Sequence, residues 1–121
     1  MPHLHLEYSS NLSAIEPDKV LLRLNHALIG SGQFSHESDV KARAVRLDSF
    51  RVGTALAERG FVHVKLAILS GRPPAVKKQL SDSLLPILTE ACAALQGIDI
   101  QMAVEILDID RDSYANHRIT G

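Results

Sequence analysis

The chain is 121 residues long, 45% hydrophobic, free of tryptophan and carries a formal charge of -1. This makes one domain with a single core, and its near-neutral balance favours neither nucleic acid nor a membrane surface as a partner. With Cys92 as the only cysteine, no run of the roughly 20 apolar residues a membrane span needs and no signal-peptide pattern at the start, the expectation is a disulfide-free cytoplasmic protein.

Pro2 opens the first element. Removal of Met1 turns it into a secondary amine at a strand end, and an α-amino group is the only amine whose ordinary pKa, roughly 7.7 to 8.0, lies close to neutral pH. Burial or a nearby cation lowers it further, giving a neutral amine that can take and return a proton. The ring fixes φ, so the strand aims the nitrogen lone pair. The plainer reading is that a small second residue merely permits methionine removal.

Residues 4–8 alternate, with Leu4, Leu6 and Tyr8 on one face and His3, His5 and Glu7 on the other: a half-buried strand. Ser9, Ser10, Asn11 and Ser13 form a turn, Pro17 suits a first helical turn, and Val20, Leu21, Leu24, Ala27 and Leu28 recur at helical spacing until Gly30 and Gly32. Residues 42–50 are strand-like, and residues 51–59 read as a turn region or short hairpin.

The strand and helix order then returns. Val62, Val64, Leu66 and Ile68 share one strand face, Gly71-Arg72-Pro73-Pro74 makes a turn, and Val76, Leu80, Leu84, Ile87, Leu88, Ala91 and Leu95 mark a helix running up to Gly97. Pro86 costs about 3 kcal/mol inside it and predicts a bend over residues 82–85. Residues 98–106 alternate as a last strand, and residues 108–121 are a polar C-terminal tail.

The fold class is therefore α+β. Two β-α-β halves form a split arrangement, with a four-stranded mixed sheet and two helices on one face, in a single domain over residues 1–121. The other sheet face, with His3, His5, Glu7, His63, Lys65, Gln101 and Glu105, lacks a covering layer. It meets either water or further copies of the chain around a wet axis.

These residues carry a resemblance. The Pro2 start on a strand, the two similar halves, Val40-Lys41-Ala42-Arg43 leading into Leu47-Asp48-Ser49-Phe50, and Phe61-Val62-His63-Val64-Lys65-Leu66 followed by Gly71-Arg72 together resemble the 5-carboxymethyl-2-hydroxymuconate isomerase family of the tautomerase superfamily. The match spans about residues 1–106. It implies a cofactor-independent keto-enol isomerase of aromatic (homoprotocatechuate) catabolism, with Pro2 as general base and acid, Arg43 and Arg72 as carboxylate-binding arginines, and a homotrimer with inward sheets. The substrate would be a small dicarboxylate or tricarboxylate, and no nucleic acid or membrane partner is implied.

The chemistry is consistent with that assignment. Shifting a proton along a conjugated 2-hydroxydienoate needs one group that is both base and acid, and a guanidinium stabilises the charge that builds on the 2-oxygen. Without the resemblance, Arg43 reads as a solvated strand residue and Arg72 as a surface turn before a helix start that suits anions. His3, His5, His63 and Glu7 offer zinc-compatible donors, but their spacing matches no metal signature and the chemistry requires none, so no metal or cofactor is expected. Tyr114-Ala115-Asn116-His117-Arg118 matches the family's end loosely, which leaves Asn116 and Arg118 as unassigned contributors to a site. Two alternatives stay open: another tautomerase reaction on a small 2-oxo or 2-hydroxy acid, and a non-catalytic ferredoxin-like binding or assembly module.

Overall fold

The computed structural model describes residues 1–121. Strand β1 (His3–Ser9) leads to helix α1 (Pro17–Gly30), a 3-10 turn (Glu37–Asp39) and strand β2 (Lys41–Leu47). Strand β3 (Arg59–Leu69), helix α2 (Pro74–Ala91) and strand β4 (Asp99–Ile109) repeat the pattern. The strand order is β2-β1-β3-β4. Within each half the strands pair in parallel, and β1 meets β3 antiparallel at the centre. The expected α+β sheet with two helices on one face is what the chain forms.

The alternation read from the sequence decides which face the helices cover. Leu4, Leu6, Val62, Val64, Leu66 and Ile68 are buried against Val20, Leu24 and Leu28 of α1 and Leu80, Leu84 and Leu88 of α2. Each such side chain contributes about 1.5–3 kcal/mol when withdrawn from water. Both helices start on proline, where the missing N–H costs no intrahelical bond. Helix α2 runs unbroken through Pro86. The proline lies on its exposed side, while the leucines on the other face hold the helix to the sheet.

Four boundaries differ from expectation. Strand β2 ends at Leu47 rather than Phe50. Residues 51–58 contain no strand pairing, so of the two readings the turn region holds and the hairpin does not, and Arg59 already belongs to β3. Helix α2 ends at Ala91 rather than near Gly97. Strand β4 continues to Ile109, because parallel pairing with β3 persists to the Leu69–Ile109 pair and the Ser70 N–H donates to the Ile109 carbonyl at 2.9 Å. The tail therefore begins at Asp110 rather than Asp108. No helix is long and apolar enough to cross a membrane.

Candidate active site

The parallel pairing of β1 and β2 draws the chain start against the entry of β2, where the Lys41 N–H donates to the Pro2 carbonyl at 3.2 Å. Pro2 itself is buried. Two cavities meet at this point, and Met1 and Asp39 line both. The smaller, about 140 Å³, adds Pro2, Gln33, Phe34 and Arg72. The larger, about 220 Å³, adds Lys41, Tyr114, Asn116, His117 and Arg118.

Arg72 is held firmly in the smaller cavity. Its Nε donates to Gln33 Oε1 at 3.2 Å and its Nη2 to the Gln33 carbonyl at 2.9 Å. The guanidinium carbon sits 4.8 Å from the centre of the Phe34 ring, a cation–π contact. The remaining N–H groups of this five-donor fork are left for a ligand. The β3–α2 turn places it there, with Gly71 at φ 125°, a conformation that favours glycine.

The electrostatics favour a neutral amine at the chain start. The α-amino group of Met1 is held below its ordinary value of 8.0, mainly by burial; Asp39 opposes the shift, and Lys41, Arg72 and Arg111 add to it. Arg111 acts from the tail outside both cavities, with its Nε donating to the Ser70 carbonyl.

Arg43 lies elsewhere. It is exposed on the helix-free face of β2, outside both cavities, and its Nη2 contacts His3 Nδ1 at 2.9 Å. His3 Nε2 in turn contacts the Tyr114 hydroxyl at 2.9 Å, so the tail folds back on its own chain. Burial and then Arg43 keep the His3 imidazole below its ordinary pKa. His63 contacts Glu105 at 2.8 Å and faces Glu7 across β1, and His5 pairs with Lys65 in the same ladder.

The structure thus brings Pro2 and Arg72 together and sets Arg43 apart. It places Asn116 and Arg118 beside the chain start. Sequence reasoning missed Lys41, Gln33, Phe34 and Asp39. Parallel pairing of the first two strands was the available signal for Lys41, since the register sets it beside His3. The 33–39 loop carries no spacing that relates it to residue 2.

Comparison with known proteins is consistent with this geometry. The family model described as 5-carboxymethyl-2-hydroxymuconate isomerase matches residues 2–120. A crystal structure of a 5-carboxymethyl-2-hydroxymuconate isomerase from Deinococcus radiodurans R1 is 29% identical, with a TM-score of 0.89 over 98% of this chain and 90% of that one. A 5-carboxymethyl-2-hydroxymuconate delta-isomerase superposes with a TM-score of 0.77 at 16% identity, over 98% of this chain and 88% of that one. A fused 4-OT symmetric trimer gives 0.66 at 18% identity, over 94% and 90% of the two chains, and these last two likenesses speak for the fold. No curated protein sequence matches significantly. With its fold, its proline start and a family match over nearly its whole length, the chain belongs to the 5-carboxymethyl-2-hydroxymuconate isomerase family, a family of isomerases within the tautomerase superfamily.

Proposed function

We propose that the protein converts 5-carboxymethyl-2-hydroxymuconate to its 2-oxo isomer in aromatic catabolism, with Pro2 as proton carrier once Met1 is removed. The observation that carries this reading is the burial of Pro2 at the junction of two cation-lined cavities. Excision of Met1 leaves the Pro2 nitrogen as a secondary amine in the surroundings where burial, and then Lys41 and Arg72, lower the pKa of the Met1 amine. The neutral amine takes the proton of the 2-hydroxyl. The O–H electron pair becomes the C2 carbonyl, the conjugated double bonds shift, and the ammonium returns the proton to the far carbon of the conjugated system.

Arg72 is assigned to the 2-oxygen and its neighbouring carboxylate, through the N–H groups that Gln33 does not use. Lys41 supplies the second cation. Arg43, assigned from the sequence as a carboxylate ligand, takes a supporting place through His3. The step needs no cofactor, because one amine serves as both base and acid. A homotrimer is proposed as the working form. It would cover the polar sheet face and edge strands, and the trimeric fold relative supports it.

The direct test follows the dienol absorbance with protein whose Met1 is removed, across a panel of 2-hydroxydienoates. Turnover of the carboxymethyl compound above its smaller analogues is expected. Turnover of only a smaller 2-oxo or 2-hydroxy acid would move the protein to another tautomerase reaction, and none at all would leave a binding module. Light scattering checks assembly: full activity at the mass of a single chain would contradict the trimer.

A further inference from the structure

The contacts of His3 fix the direction of a hydrogen-bond chain. An arginine side chain has donors and no acceptor. The Arg43 Nη2 group at 2.9 Å from His3 Nδ1 therefore requires Nδ1 to accept, which leaves the imidazole neutral with its proton on Nε2. Nε2 must then donate to the Tyr114 oxygen, 2.9 Å away. That hydroxyl already accepts, and its own hydrogen finds no acceptor within the chain. Tyr114 lines the 220 Å³ cavity beside Lys41 and Arg118, where a donor without a partner suits an anionic oxygen.

We propose that Arg43 and His3 are positioning residues of a one-way relay that aims the Tyr114 hydroxyl proton into this cavity, where it donates to a carboxylate at the distal end of a tricarboxylate ligand. The substrate identity rests on the isomerase reading; the relay and the anion subsite rest on the contacts alone. Tyr114 thereby separates a substrate carrying the extra carboxymethyl group from a smaller acid lacking it. If Arg43 is removed, Nδ1 is free to carry the proton, Nε2 becomes an acceptor, and Tyr114 turns its hydrogen toward His3 and away from the cavity.

Two measurements that need no turnover test this. Nitrogen NMR of the His3 ring is expected to show a protonated Nε2 and a bare Nδ1 in the unaltered protein, and a mixture of both tautomers in Arg43→Ala. A proton on Nδ1 in the unaltered protein, or an unchanged ring in Arg43→Ala, would overturn the relay. Calorimetry with propane-1,2,3-tricarboxylate and with glutarate reads the subsite. Tyr114→Phe is expected to weaken the tricarboxylate about tenfold, the size of one hydrogen bond to a charged group, and to leave glutarate unchanged. Arg43→Ala should share this loss, with the double variant no weaker than Tyr114→Phe. His3→Gln, whose amide N–H reaches where Nε2 does, should restore binding that His3→Ala loses. Additive losses, an equal effect on both acids, or no binding by unaltered protein would refute the proposal. Failure of the dienol assay with these results intact would remove only the isomerase reading.

Discussion

The two ends of the sheet make a natural comparison, because the halves repeat the same strand, helix and parallel strand. Where β1 begins, the chain start lies between two modest cavities of about 140 and 220 Å³. Where β3 begins, at the opposite end, a larger cavity of about 420 Å³ is lined by Phe50, Arg51, Leu56 and Arg59 among others. The larger one also carries arginines, with Glu58 beside them, and Arg59 is tied into the chain: its Nη1 donates to the Val52 carbonyl at 3.2 Å, and Asn11 Nδ2 donates to the Arg59 carbonyl at 2.9 Å. It has neither a terminal amine nor an imidazole. Volume and positive charge make an anion cavity, whereas an isomerase also needs a group that exchanges protons near neutral pH.

That contrast can be broken most directly at Pro2. Pro2→Ala leaves a primary amine with a freer backbone, and kcat is expected to fall about 10³-fold with residual activity retained. Unchanged kinetics would end the distinction between the two ends. Arg72→Ala removes a guanidinium fixed by Gln33 and Phe34, and kcat/KM should fall about 10²-fold. A loss confined to KM would instead show that Arg72 binds substrate and transition state equally.

The pH profile sharpens the comparison further. With the neutral Pro2 amine as the proposed base, activity should rise with pH along a limb set by that amine, in the same surroundings where burial and then Lys41 and Arg72 hold the Met1 amine below 8.0. Lys41→Ala or Arg72→Ala removes a cation that disfavours the protonated amine, and the limb should move to higher pH. Asp39→Asn removes the opposing charge and should move it lower. At the far end, Arg51→Ala alters an exposed residue of the larger cavity, and activity should stay within about twofold, as for most surface changes.

Much of this arrangement was readable in advance, for reasons that differ by residue. Leu4, Leu6, Val62, Val64 and Leu66 alternate with polar neighbours, and that period leaves one possible buried face. Pro17 and Pro74 mark helix starts because few other ordered positions tolerate them so well. The end of β4 was not readable, since Leu107, Asp108 and Ile109 break the alternation and are held by pairing with β3. At the site, Pro2 and Arg72 stood out through residue type and local motif. Tyr114 and His3 are 111 positions apart, and nothing in either segment announces the contact. Arg43 was singled out by its motif, yet its neighbour in the ladder is His5, and only the folded side chains reveal its contact with His3.

The central claim is that a free Pro2 amine moves the proton. It is tested most directly by one paired assay of dienol isomerisation, using protein with Met1 fully removed and protein with Met1 retained, each verified by intact mass. Retention makes the Pro2 nitrogen an amide without a basic lone pair, while the cavities and cations stay in place. Turnover by the trimmed form and a loss of at least about 10²-fold in the retained form is the predicted result; equal turnover by both would contradict it.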